Sequence, residues 1–351
     1  MRETSTHMED EDPLDEIRLR VHDAMHSSPR GLNQSTVARE TGMSTDALSR
    51  SLNGQRNFSA SELARLANVF EVSLGWLITG DPRPDSFVDE SKDPLPWRRD
   101  QIAETVAFPA GAYREVGLDT GSVPLLDPDT TPESAAGLVA ENLGRNLDRP
   151  FIHDLPAAIE ESYGIGVFVS AEGPDFDARA MRVRGLTYIV VRATGAWYQA
   201  NLVLARELGE LLSGGHLAIG LRSQHPDNWS NDFALALLMP AQRLRSIDWN
   251  RQTPRELAEF LWESGVSAKA LMRRLDGLGI PRGPAWVHAD EGTLQLLVWQ
   301  DPDCLSHDRA RAYRSPRIPF DLFSAHLKGM REGRVDGTSL AWMLDTPLAE
   351  L

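Results

Sequence analysis

The chain has 351 residues, 41% of them hydrophobic and 25% charged, with a formal net charge of −15. That length suits two or three domains, and the acidic balance excludes a general nucleic-acid coat while leaving room for one locally basic DNA-binding module. A single cysteine, Cys304, excludes an internal disulfide framework and fits a reducing cytoplasm, and no apolar run approaches the ~20 residues of a membrane span.

Residues 1–12 read as a charged, disordered leader with no apolar core for a signal peptide. A cytoplasmic location without a membrane partner is therefore expected. Residues 13–80 read as five short helices separated by turn residues. Gln34 opens a helix that turns Val37 and Ala38 inward, Gly42 supplies a tight turn, and Met43 plugs the space between two helices. Ser44 is placed to cap the next helix, where Ala47 and Leu48 face the core and Thr45, Asp46, Ser49 and Arg50 face out. Asn53-Gly54 ends it, and Ser59 starts a helix with Leu63, Leu66 and Ala67 inside.

This run reads Leu-x-Gln-x-x-x-Ala-x-x-x-Gly-x-Ser, then Leu-Ser-Arg-x-x-Asn-Gly, then Leu-x-x-Leu-Ala and Leu-x-x-Gly. It resembles the Xre-type (lambda-repressor-like) helix-turn-helix domain. The resemblance implies that the helix beginning at Thr45 lies in the major groove of an operator, with Thr45, Asp46, Ser49 and Arg50 at base edges. It also implies that Gln34, Ser44, Arg56 and Asn57 hold phosphates, and that the protein is a homodimer on a palindromic double-stranded site. Seven arginines balance seven Asp and Glu residues between Leu14 and Gly80, so charge alone leaves a protein-interaction role open.

Four prolines and five acidic residues in "DPRPDSFVDESKDPLP" mark 81–96 as a linker. Beyond it, Thr131 with Pro132 and Glu133 predicts a helix over 131–147, and a second helix over 152–164 closes at Gly164. "IGVFVSA" (165–171) and "LTYIVVRA" (186–193) read as strands. Helices follow over 197–213 and 227–246, then a pair over 253–280 with a second helix-turn-helix cadence and Lys269, Arg273 and Arg274 available to DNA. Residues 284–351 read as a small mixed region with one strand, "TLQLLVWQ" at 293–300, and with Trp286, Trp299 and Trp342 packed inside.

The apolar lead into Arg206-Glu207-Leu208-Gly209-Glu210 and the later Phe233-Ala234 and Leu237-Leu238-Met239-Pro240 resemble the ImmA/IrrE-type metallopeptidase family. The resemblance implies an α+β, zincin-like domain over 97–283, in which two imidazoles four residues apart on a helix grip zinc and the glutamate between them activates water. Here the first ligand position holds Arg206, whose guanidinium has no lone pair to donate, and the second holds Glu210. Glu207 keeps the place of the general base, and Asp227 is the nearest candidate for the third ligand. His216 could join Glu207, Glu210 and Asp227 in a replacement site, but an Arg206–Glu210 ion pair spanning the old site is the simpler expectation.

The expected architecture is thus an all-α helix-turn-helix domain followed by a degenerate α+β peptidase-like domain, with no catalytic residue, metal or cofactor. The expected function is a transcriptional repressor whose former active-site cleft, lined by Arg206, Glu207, Glu210 and Asp227, serves effector sensing, dimerisation or partner binding, the effector being a small molecule or peptide. An active metallopeptidase that cleaves a partner repressor, and one half of a toxin–antitoxin or phage-immunity pair, are the alternatives.

Overall fold

Gly, Pro and Ser or Thr caps divide the described residues into short helices and one three-stranded sheet. The computed structural model describes residues 13–27, 32–70, 72, 74–79, 107–121, 123–127, 129–145, 150–170, 177–183, 185–214, 228–284, 286, 292–299, 301, 303, 305–344 and 346–350. The leader at 1–12 and the linker at 81–96 lie outside them, as do Cys304, His216 and Asp227. The elements are α1 Pro13–Ser27, α2 Gln34–Thr41, α3 Thr45–Leu52, α4 Ala60–Phe70, α5 Leu74–Thr79, α6 over 107–116, α7 Pro132–Asn142, α8 Leu155–Tyr163, β1 Gly166–Ser170, β2 Ala178–Val183, β3 Leu186–Arg192 and α9 Trp197–Leu212. They continue with α10 Trp229–Leu238, α11 Ala241–Arg245, α12 Pro254–Ser264, α13 Ala268–Gly277, α14 Thr293–Trp299, α15 Leu305–Ala312, α16 Phe320–Arg331 and α17 Thr338–Met343. Among the described residues no helix is long and apolar enough to cross a membrane.

The chain divides into two units: Met1–Asp119 with Phe320–Trp342 and Thr346–Leu351, and Thr120–Pro319 with Met343–Asp345. The region read in sequence as a single C-terminal piece, 284–351, is therefore shared between them.

Unit 1 is built from helix ends with defined caps. Asn33 accepts the Thr36 N–H at the start of α2, and Gly42 closes it in the left-handed region at φ 70°. Ser44 accepts the Ala47 N–H at the start of α3. At α4 the Ser59 hydroxyl accepts the Glu62 N–H while Glu62 Oε2 accepts the Ser59 N–H, a reciprocal capping box. Ile17, Val21, Val37, Ala38, Leu48, Leu63, Leu66, Ala67 and Leu77 form the interior between these helices. Arg20 reaches from α1 to the C-terminal carbonyls of α5, donating to Leu77 O at 2.8 Å and Ile78 O at 2.9 Å. α6 and α16 belong to the same unit: the fully buried His326 contacts Ala112 O through Nε2 at 3.2 Å, and burial pushes its imidazole below the usual value.

Unit 2 centres on a three-stranded sheet of order β1-β3-β2, with β1 parallel and β2 antiparallel to β3. Six consecutive buried residues in β3 fit its central position. β2, "ARAMRV", carries little β-branched signal and takes its strand form from the hairpin turn at Gly185, φ 82°. The helix expected over 227–246 is broken at Met239-Pro240, where proline has no N–H to continue the ladder. The segment expected as a strand at 293–300 is the helix α14. Its buried residues, Thr293, Leu296 and Leu297, follow the i, i+3, i+4 spacing of one helix face, which outweighed the aliphatic and aromatic character of the run.

α9 and α10 touch at Gly209. A Cβ built there would lie 2.7 Å from the Phe233 ring, which is fully buried and stacked on Trp229 with centroids 5.3 Å apart. The ring has no room to yield, so Gly209→Ala is expected to destabilise unit 2 by about 1–3 kcal/mol, measured as a lower midpoint in urea unfolding followed by tryptophan fluorescence.

Candidate nucleic-acid interface and the Arg206–Glu210 helix

The outward surface of α3 follows from its cap and its inward residues. Ser44 fixes the first turn, Leu48 is buried, and Thr45, Asp46 and Arg50 are exposed. Ser49 is half-buried, and its hydroxyl accepts the Asn53 side-chain amide at 3.4 Å. Gln34 is exposed at the first position of α2. The Arg50 guanidinium makes no hydrogen bond or ion pair among the described residues. The structure thus places Ser44, Thr45, Asp46 and Arg50 on accessible surface from the α2–α3 turn into α3, and Gln34 on accessible surface at the other end of α2.

Arg56 and Asn57 turn inward instead. The Arg56 guanidinium donates to Ser51 Oγ at 3.0 Å, Glu62 Oε1 at 2.8 Å and Asp336 Oδ2 at 3.2 Å. Asn57 donates to the Glu115 carbonyl at 3.1 Å. A cleft of 460 Å³ borders the first turn of α3, lined by Ser44, Asp46, Arg50, Arg56, Arg65 and Asp336 among others. Arg65 and Asp336 are absent from the sequence-derived site. Arg65 could have been found on the exposed face of α4, two residues past Leu63 and opposite its buried side. Asp336 carries no such signal, because it is 280 residues from the group it contacts.

A family model described as helix-turn-helix matches residues 29–77. The described residues of that span carry a helix-turn-helix. No curated protein and no solved structure matches the chain. In that helix-turn-helix α2 and α3 are the paired helices and Gly42-Met43-Ser44 is the turn, so α3 stands in the place of the helix that enters a groove in DNA-binding members of this fold.

The α12–α13 pair repeats that turn. Gly265 closes α12 at φ 63°, Val266 is buried, and Ser267 accepts the Ala270 N–H to cap α13. The two turns then part. Where Thr45 is exposed, Ala268 is buried, and its N–H donates to Thr293 Oγ1 at 2.9 Å. α14 thus covers the end of α13 that a recognition helix presents to a groove. Lys269 and Arg273 remain exposed, while Arg274 is held by Glu133 at 2.6 Å and by Met239 O at 3.1 Å.

On α9 the polar residues Arg206, Glu207 and Glu210 divide between two sets of partners. Arg206 donates to Glu207 Oε1 at 3.1 Å, not to Glu210 as the four-residue spacing suggested. Glu207 is buried and its Oε2 accepts the Ala180 N–H of the edge strand β2 at 2.9 Å, which draws the carboxylate toward the sheet and the guanidinium after it. Glu210 Oε1 accepts the Ser230 hydroxyl of α10 at 2.5 Å. Trp229 is buried and donates to Thr130 O. Among the described residues no three His, Cys, Asp or Glu side chains converge as metal ligands, Asp227 and His216 lying outside them.

At the start of α4, Glu115 of α6 is 1% exposed. Its Oε2 accepts the Ser339 hydroxyl at 2.6 Å and the Ala60 N–H at 3.2 Å, and its Oε1 has no partner among the described residues. Burial pushes this carboxyl from 4.5 up to about 8, against those two hydrogen bonds. A folded-state value above the unfolded one means that the folded chain retains a proton the unfolded chain has lost. The resulting stability is complete below pH 4.5 and declines until the pH passes about 8. Unfolding free energy is expected to fall by up to about 1.4 kcal/mol per pH unit across that window. Urea titrations from pH 5 to 8.5 should show this slope, and Glu115→Gln, permanently neutral, should flatten it.

Proposed function

We propose that the chain is a sequence-specific DNA-binding transcriptional repressor, acting as a homodimer on a palindromic operator. The observation that carries the reading is the accessible first turn and outer face of α3, with Thr45, Asp46 and Arg50 exposed inside the segment that matches the helix-turn-helix family. A helix presented in this way enters the major groove by its N-terminal residues, and an arginine there can bond guanine O6 and N7 together.

We propose further that unit 2 is a peptidase-like domain that no longer catalyses hydrolysis and works in effector sensing, dimerisation or partner binding. The support is chemical. A general base must be free to take a proton from the attacking water, whereas Glu207 is buried against the Ala180 N–H and the Arg206 guanidinium. Glu210, in the place of a ligand, is tied to Ser230. Arg206, partly exposed, offers a planar cation for a carboxylate or phosphate on an effector. Stoichiometric zinc in the purified chain, lost together with proteolysis on Glu210→Ala, would overturn this part.

Genome-wide mapping of bound sites tests the repressor reading, and a chain that yields no discrete site would end it. On the mapped operator, Arg50→Ala is expected to cost about 1–3 kcal/mol, a roughly 5- to 150-fold loss, and to relax specificity at one base pair. Fluorescence anisotropy on operator and scrambled duplexes measures both effects.

A further inference from the structure

The connection from α16 to α17 sets a carboxylate beside α3. Asp336 is held by its own turn, Oδ1 accepting the Thr338 N–H at 2.8 Å, and its Oδ2 takes the hydrogen bond from Arg56. Both groups line the cleft that borders Ser44, Asp46 and Arg50. The Arg50 and Arg65 guanidinium groups, also in that lining, have no partner among the described residues. Three guanidinium groups therefore border one open cleft at the start of a helix that faces outward.

The three acidic residues of the cleft differ in what holds them. Glu62 is 5% exposed in its side chain and locked by the α4 capping box and by Arg56. Asp46 belongs to the first turn of α3. Asp336 is 43% exposed and comes from a distant stretch of chain, so it can leave Arg56 without dismantling a helix cap.

We infer that Asp336 occupies, in the free chain, the seat of a DNA backbone phosphate: duplex binding releases Asp336 from Arg56, and Arg56, Arg65 and Arg50 then border the phosphate. The inference rests on the DNA-reading proposal above. Its physical basis is an exchange of anions. Asp336 is the exposed partner of the pair and keeps much of its hydration, so its hold on Arg56 is weaker than that of the buried Glu62. A phosphate facing guanidinium forks gains charge-assisted bonds and releases condensed counterions from the duplex. Asp336 thereby lowers the affinity of the free chain for DNA, and Arg65 becomes a phosphate contact. If Asp336 instead oriented Arg56 toward DNA, its removal would weaken binding, so the sign of the effect separates the two roles.

The test uses the full chain and a fluorescein-labelled mixed-sequence duplex of about 30 bp, titrated between about 50 and 200 mM salt. Asp336→Asn keeps an oxygen for the Thr338 N–H and removes only the charge; a melting transition matching the parent chain checks that it folds, and Asp336→Ser replaces it otherwise. Asp336→Asn is expected to bind about fivefold tighter, equivalent to ~1 kcal/mol, with a steeper salt dependence. Arg65→Gln is expected to bind more weakly, with the salt slope reduced by about one. Equal or weaker binding by Asp336→Asn, or an unchanged slope for Arg65→Gln, overturns the inference while the DNA-reading proposal stands. If neither the parent chain nor Asp336→Asn binds duplex at the lowest salt, both fall.

Discussion

The start of α4 lies inside unit 1, and a buried helix start must find acceptors for its free N–H groups. Ser59 meets the Glu62 N–H, and Glu62 meets that of Ser59. The Ala60 N–H takes its acceptors from elsewhere: Glu115 of α6 and the Ser339 hydroxyl at 3.1 Å. Glu115 and Ser339 are bonded in turn, so one helix end gathers three stretches of chain. The consequences spread outward. Gly111 of α6 brings its backbone against Ala60, where a Cβ would stand 3.0 Å from the Ala60 methyl, and Asn57 is drawn to the Glu115 carbonyl. Holding the carboxyl there costs it its charge near neutral pH, because no solvent reaches it and Oε1 is unpaired.

The two Gly-apolar-Ser turns show how far local chemistry determines function. Gly42-Met43-Ser44 and Gly265-Val266-Ser267 share a left-handed glycine, a buried plug and a capping serine. Both produce two helices at a tight turn, because backbone conformation and capping act over a few residues. Whether the second helix is a reader depends on what covers it. Ahead of α3 the surface is open, and ahead of α13 stands Thr293.

A similar divergence marks α9. Leu204, Leu208, Leu211 and Leu212 are buried as an amphipathic helix requires. The polar residues between them obey their neighbours in space. An edge strand leaves backbone N–H groups without a strand partner, and Glu207 meets that of Ala180. That carboxylate thus serves the sheet, and Arg206 neutralises it in the interior.

The sequence by itself determined the helix-turn-helix domain, the caps at Ser44, Ser59 and Thr131, strands β1 and β3, the inward faces of α4 and α9, and the inward Leu48 of α3, whereas Ala47, expected inside, is half-buried and lines the cleft. All of these rest on interactions within about four residues, where glycine, capping hydroxyls and apolar spacing carry the information. Tertiary structure alone decided the rest. α14 is helical because Thr293, Leu296 and Leu297 meet the core on one side. β2 exists because β3 offers it a partner. Arg56 faces inward because Glu62 and Asp336 surround it, and Arg206 bonds Glu207 because Ala180 holds that carboxylate. Each of these outcomes depends on a charge or a hydrogen-bond partner brought close by folding, and an unpaired polar group in the interior is too costly for the chain to leave such partners unused.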